Sequence, residues 1–436
     1  MEPHPVQLAV TDDLVRGRAT VFFRIILAIP VFVWLLIWSI GTFFVAIAGW
    51  FVAIFTKKLP DGIHGFLCRY VRYVVHVHGY VALVTEPYPG FGGKPGYPLD
   101  VTLPDAPAEQ SRARVFFRFV LALPAIAISQ ALGGSIGFNT SGSFNGSSSG
   151  GSHSFRFATF TGGGGALLFA VFFLAWFVGV FRARNSKGLR DAGAYAIGYT
   201  AHVLAYFLLV TEHYPLSDPA AMLGGRVEPP PVHPVHVVDN DDLRRSRLTV
   251  FFRLLLFIPH YVWLGLWGIA VAFSIFANWF VLLFRGTPAG SLHRFNSRYL
   301  RYALHVYSFL LLVANPFPGF TGLPGSYPVD LVLPDPARQN RWKTGFRLFL
   351  VIPAAIVAIA LYFALYVTAV LNWFVGLFRA RSPEGMHKLG VYAVRYIAQY
   401  AAYYYLITDV YPNASPLEGA EPPPEPEPTA EPQYAW

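Results

Sequence analysis

Four stretches of this chain repeat one set of polar and aromatic residues at spacings of three, one, three and four. The first is Arg69, Arg72, Tyr73, His76 and Tyr80, and the second is Tyr195, Gly198, Tyr199, His202 and Tyr206. The third is Arg298, Arg301, Tyr302, His305 and Phe309, and the fourth is Tyr392, Arg395, Tyr396, Gln399 and Tyr403. That spacing places each set on one face of a helix. Arginine, tyrosine and histidine with no carboxylate in the same stretch make a donor-rich surface whose natural ligand is an anion. Arg72, Tyr73, His76, Tyr199, His202, Arg301, Tyr302, His305, Arg395, Tyr396 and Gln399 are therefore candidates for a polar seam where four faces converge. A plainer reading also accounts for them: the arginines extend to a nearby surface and the hydroxyls bond between helices as packing.

A second recurrent group is an arginine that heads an apolar run, always six residues before a proline. Arg24, Arg118, Arg253 and Arg347 precede Pro30, Pro124, Pro259 and Pro353. In "FFRIILAIP" the guanidinium could reach lipid phosphates while the phenylalanines enter the acyl region, which makes these arginines lipid-anchor candidates on an interfacial helix ended by the proline. One long kinked helix running through the proline is the alternative.

Other chemistry is not supported. "GGSIG" at Gly133 and "GSSSG" at Gly146 match a hydrolase serine pattern, but in low-complexity sequence without the strand-to-helix turn it requires. His76 and His78 point apart on a helix and have no nearby partner for a metal. Cys68 is single, so no internal disulfide forms. The Asn139, Asn145 and Asn413 glycosylation matches matter only in a secreted chain. No catalytic residue, cofactor or metal site is expected, and a non-enzymatic protein is the reading that follows.

The elements that must position these residues are membrane helices. Only 13% of the chain is charged and 54% is hydrophobic, against about 25% charged in soluble domains. Ile25 to Phe55 carries no charge at all, longer than the roughly 20 residues that span a bilayer core. The net charge of +9 lies beside apolar runs, which points to anionic lipid as the partner and away from nucleic acid.

The apolar runs recur as four copies of one unit. After each arginine and proline come Trp50, Trp176, Trp279 and Trp373, then a basic turn, a second apolar-aromatic segment and a closing proline at 89, 215, 318 or 412. Units one and three share one offset with units two and four, so the chain is a doubled pair. The units run over 5–91, 97–216, 233–320 and 327–412, with a linker at 217–232. Short alternating stretches, "HPVQLAV", "YPLDVTL", "HPVHVVD" and "YPVDLVL", precede the units and predict β-strands. A Gly/Ser-rich insertion at 132–165 interrupts unit two, and because such a loop cannot lie in hydrocarbon, its position should be at the membrane surface. The tail at 413–436 is acidic and Pro/Glu-rich and reads as disordered.

The fold class that results is an α-helical integral membrane protein of four tandem two-helix units, about eight transmembrane helices, with interfacial helices and short extramembrane β-strands. All basic turns would lie on one side, with strands, anchors and both termini on the other. The excess of Lys and Arg on the strand side places the termini in the cytoplasm of a multi-pass cell-membrane protein.

"ILAIP" followed by Trp50-Phe51, "VTEPYPGF" at Val84 to Phe91 and "VANPFPGF" at Val313 to Phe320 resemble the bacterial domain-of-unknown-function 4389 family, in its multi-copy actinobacterial form. The likeness covers about Val6 to Pro412 and implies a helical integral membrane protein with no established activity. Three functions are open to such a chain. It could bind or organise anionic lipid, carry a small anionic or polar solute through the seam, or serve as a structural subunit of a membrane complex.

Overall fold

The computed structural model describes residues 4–133 and 165–420. Residues 134–164 of the Gly/Ser-rich insertion, the end of the acidic tail and the motifs at Gly146, Asn139 and Asn145 lie outside the described residues.

Each unit opens with a strand and a five-residue helix (Arg18–Phe22, Arg112–Phe116, Arg247–Phe251, Arg341–Gly345). A long apolar first helix begins at the repeated arginine. Three of these, Arg24–Thr56, Arg253–Arg285 and Arg347–Arg379, have 33 residues each and are long and apolar enough to cross a membrane. In unit two the counterpart is Arg118–Leu132 followed by Ala166–Arg182. The first helices end on left-handed residues, Lys57, Ala183, Gly286 and Ala380. After the basic turn comes a 21-residue second helix: Asp61–Val81, Lys187–Phe207, Gly290–Leu310 or Glu384–Tyr404.

In units two, three and four the proline does not end the helix: Pro124, Pro259 and Pro353 lie inside helices that begin at the arginine, so the segment ended by proline is corrected there to the single-helix form. In unit one a break at Ala28 separates Arg24–Leu27 from Ile29–Thr56, and Pro30 stands in the first turn of the second piece. A missing N–H removes one hydrogen bond, which a helix with a packed neighbour tolerates.

The strands form two separate two-stranded sheets. β1 (Gln7–Val10) pairs antiparallel with β2 (Leu99–Thr102), Leu8 opposite Val101, and β3 (His236–Asp239) pairs with β4 (Val329–Val332), Val237 opposite Leu331. Leu8, Leu99, Val101, Val329 and Leu331 are buried, so the alternation read in the sequence sets which face packs inward.

Neighbouring units run antiparallel. The start of unit one meets the end of unit two's first helix: Arg16 N–H donates to Ala183 O at 3.0 Å, and the Phe22 and Trp176 rings lie 6.1 Å apart. Reciprocally, Gln110 N–H donates to Lys57 O at 2.7 Å and Trp50 Nε1 to Val115 O at 2.9 Å. Units three and four repeat this through Trp279 to Thr344 O and Trp373 to Val250 O, both 3.0 Å. Units two and four meet between the pairs, where a Cβ on Gly188 would touch Asn413 and one on Gly385 would touch Ser217. The expectation that basic turns gather at one end and anchors at the other is therefore corrected: each junction joins a turn to an anchor.

The second helix lies between the first helix and the sheet. In unit one, Ile63, Phe66, Tyr70 and Tyr73 touch Gly49, Trp38, Ser39 and Val31 of the first helix. Cys68, Arg72, His76 and Gly79 touch Pro104, Val101, Asp100 and Leu99. Phe66 and Cys68, or Tyr70 and Arg72, are two residues apart, roughly 200° around a helix. The molecule is thus three layers: first helices, second helices, then strands with their loops.

Candidate functional site

Arg24, Arg118, Arg253 and Arg347 are 0%, 2%, 1% and 2% exposed. Each reaches the end of its own unit's second helix. Arg347 donates to Tyr403 O at 2.6 Å, Thr408 O at 2.7 Å and Gln339 Oε1 at 2.8 Å. Arg118 does the same to Tyr206 O and Thr211 O at 3.0 Å and to Gln110. Arg253 reaches Phe309 O, Ala314 O and Asn315, and Arg24 reaches the Thr85 and Glu86 carbonyls and the Glu86 carboxylate at 2.8 Å. The guanidinium carbons stand 4.0–4.4 Å from the centroids of Tyr80, Tyr206, Phe309 and Tyr403. A helix C-terminus leaves carbonyls without partners and carries partial negative charge, and the buried cation satisfies both. Placed so, these side chains do not face a lipid headgroup, which corrects their position as outward anchors.

A second donor completes this clamp. Leu83, Leu209, Leu312 and Leu406 close the second helices with φ of 59°, 63°, 61° and 63°, a left-handed conformation that costs a residue with a side chain about 1 kcal/mol or more. The carbonyl of each accepts from the residue eight before the clamp arginine: Arg16 at 3.0 Å, Gln110 at 2.6 Å, Arg245 at 3.3 Å and Gln339 at 2.9 Å. Arg16 and Arg245 are each paired with a buried aspartate, Asp12 and Asp241, at 2.8 Å. The sequence reading missed this layer, although the Asp12-to-Arg16 and Asp241-to-Arg245 spacing repeats in the text.

The predicted seam divides into separate pairings. Tyr73 and Tyr396 donate to the first helix at Val31 O and Ala354 O, and Tyr302 bonds His260 Nδ1 at 2.7 Å. Arg72 and His76 turn the other way, both 3.1 Å from Asp100 on β2, and Arg301 and His305 reach Asp330 on β4 at 3.5 and 2.7 Å. Tyr199 is buried and His202 stacks on His4 at 4.2 Å. Arg395 donates to Ser415 O and Pro416 O, and Gln399 bridges Val235 O and Asn413 N. The carboxylates that seemed missing come from strands, the Asp of "YPLDVTL" and "YPVDLVL".

Charge within the strand layer is balanced. Burial alone would raise the Asp239 carboxyl, but His387 at 2.9 Å and Lys388 at 3.1 Å outweigh it and hold it down to about 2. Asp100 and Asp330 are likewise brought below the usual carboxylate range, burial being offset by His76 or His305 and by backbone N–H groups. Among the described residues, no group of three or more His, Cys, Asp or Glu is placed to hold a metal ion.

What remains free is the outer layer. Phe44, Phe55, Phe273, Phe284, Ile359 and Phe378 are exposed, as are many others along the first helices; in unit one the buried residues form a narrow stripe that includes Val31, Leu35, Ser39 and Thr42, whereas the unit-four helix is more deeply packed. At the junction of units one and two, Arg18, Arg182 and Arg184 are exposed together, Arg18 donating to Phe181 O at 3.5 Å. Beside it an apolar groove of about 990 Å³ opens between units two and four, with Phe177, Phe181, Ile352 and Ile356 as walls and Arg182 and Lys187 at its mouth.

No curated protein and no solved structure matches the chain. A family model does match, four times, over residues 18–92, 154–217, 247–321 and 341–415. With four copies of its unit forming the clamps and layers above, the chain belongs to the family described as Domain of unknown function (DUF4389).

Proposed function

We propose that this chain is a non-enzymatic protein of the cell membrane that binds and organises anionic lipid. The reading moves the lipid contact from the clamp arginines to the exposed rim. The observation that carries it is the set of start-to-end junctions, where basic side chains such as Arg18, Arg182 and Arg184 are exposed beside an exposed apolar layer. Surface cations near anionic lipid contribute about 1 kcal/mol each, and the apolar layer supplies the larger hydrophobic share. The groove beside this junction, between units two and four, joins both kinds of surface and suits a lipid with an anionic head and acyl chains.

The test is native mass spectrometry of protein extracted gently from its own membrane, comparing wild type with Arg18→Gln, Arg182→Gln, Arg184→Gln. Expected is loss of co-purifying anionic lipid while zwitterionic lipid stays. Identical spectra from a folded variant would reject the basic rim as the lipid contact.

A further inference from the structure

We infer that the first helices lie flat within the cytoplasmic leaflet instead of crossing the bilayer, an inference that deepens the lipid reading above by naming the surface and its orientation. Three independent features of the fold carry it.

The first is the layering. The loop and strand from Gly93 to Pro104 run along the second helix of unit one at mid-length: a Cβ on Gly93 would meet Arg69 O, Arg72 Nε donates to Val101 O at 3.3 Å, and Cys68 lies 4.0 Å from Pro104 O. Unit three repeats this with Gly322 against Arg298 O and Arg301 bonded to Leu331 O. If the helices crossed the bilayer, these irregular loops and the exposed Arg69, Lys94 and Arg298 would sit at its centre. Backbone outside helices and closed barrels is not tolerated against lipid there. With the helices flat, the loops and strands face water and the first helices face lipid.

The second is length. Thirty-three residues extend about 50 Å, against roughly 30 Å of hydrocarbon. Phe22 and Phe23 at one end and Phe55 at the other are all exposed. Burying both ends by tilting alone needs about 50° from the normal, beyond the usual range of up to 40°. A helix about 10 Å across lying in a leaflet about 15 Å deep buries its whole exposed face. Antiparallel neighbours also put exposed basic side chains at both ends of the layer, Lys57 and Arg112 at one and Arg18 and Arg182 at the other. In the flat arrangement all of them meet one surface, and the anionic cytoplasmic leaflet matches their charge.

The third is where unit two is interrupted. The chain leaves at Gly133 and returns at Gly165, where a Cβ would lie 2.4 Å from Gly133 N. Fifteen helical residues precede the exit and 17 follow the return. A polar sequence inserted there would begin and end mid-bilayer in a crossing helix, but in a flat helix it leaves from the depth of one leaflet.

The experiment is accessibility in Cys68→Ser protein, which removes the single cysteine. Asp13→Cys, Ala108→Cys and Lys94→Cys place thiols at the two ends of unit one's first helix and over its middle; all three positions are exposed. A membrane-impermeant maleimide is applied to intact cells and to inside-out vesicles, with detergent-solubilised protein as the control for folding and reactivity. Expected is labelling of all three only from the cytoplasmic face. Asp13→Cys and Ala108→Cys reacting from opposite faces, or any position reacting from outside, overturns the proposal. Opposite-face labelling with anionic lipid retained would reject the flat placement alone, whereas cytoplasmic labelling without retained lipid would reject the lipid reading alone.

Discussion

Replacing Arg347 separates a structural clamp from a lipid contact. In Arg347→Met a side chain of similar length keeps much of the packing but cannot donate. The Tyr403 and Thr408 carbonyls, now at 2.6 and 2.7 Å from the guanidinium, lose a charged donor in a site 2% exposed, at about 1–3 kcal/mol for each buried group left unsatisfied. The contact with the Tyr403 ring at 4.3 Å adds about 1 kcal/mol. These terms overlap, since removing one partner of a buried charged network costs about 3–5 kcal/mol in all. Arg347→Lys keeps the charge but cannot span two carbonyls and Gln339 together, so it should fall between wild type and Met. Thermal unfolding in detergent, followed by fluorescence and by retention on gel filtration, should rank wild type above Lys above Met. Retained anionic lipid, measured below every transition, should be the same for all three. A Met variant that unfolds like wild type yet loses its anionic lipid would refute the clamp and restore Arg347 to the lipid surface.

Other substitutions probe the remaining layers. Asp239 sits at about 2 in the folded protein against about 4 unfolded, so its stabilisation, about 2 kcal/mol, is fully present above pH 4 and is lost as pH falls through 2. Asp239→Asn should lower stability by that amount at neutral pH and flatten the acid side of the stability curve; an unchanged acid profile would show that His387 and Lys388 do not hold it. Gly322 has φ +58° and a Cβ there would lie 2.3 Å from Arg298 O, whereas Gly319 faces open space. Gly322→Ala should therefore cost about 2–4 kcal/mol and Gly319→Ala almost nothing, and equal melting temperatures would refute the packed loop. Trp373→Phe keeps the ring but removes the bond to Val250 O at 3.0 Å, an expected loss of about 1 kcal/mol that no loss in a denaturant titration would contradict.

Local periodicity carried much of the fold. The four units, their paired helices and the strands within the stretches that open at His4, Tyr97, His233 and Tyr327 follow from spacing alone, because apolar periods of 3.6 and 2 are written residue by residue. The roles of the arginines were not legible. Arg24 meets Thr85 and Arg347 meets Thr408, partners about sixty residues away, and a cation at the head of an apolar run looks the same whether it turns to phosphate or to a helix end. Asp100 was passed over as a partner for Arg72 because it stands in a strand outside the helix, and only the layering brings it within 3.1 Å. The antiparallel order of units was equally hidden, since Trp50 and Trp373 mark the repeat in the sequence and only the structure brings them to Val115 O and Val250 O of a neighbouring unit.

The alternation between units has an energetic reason once that order is known. The position eight before the clamp is arginine in units one and three and glutamine in units two and four, yet all four side chains bind the same left-handed leucine carbonyl. Each arginine carries its own aspartate, Asp12 or Asp241. Glutamine bonds instead to the clamp arginine itself, Gln110 to Arg118 and Gln339 to Arg347. Two arginines in that place would be buried side by side, and only an added carboxylate permits it; glutamine supplies one donor and one acceptor with no charge to desolvate. Putting arginine at Gln339 would bring two guanidinium groups together without the buried paired aspartate that accompanies Arg16 and Arg245, and should destabilise the protein more than alanine there, which leaves the Leu406 carbonyl and one arginine nitrogen unpaired. The reverse ranking in a thermal melt would mean that water reaches this clamp and that the alternation has another origin.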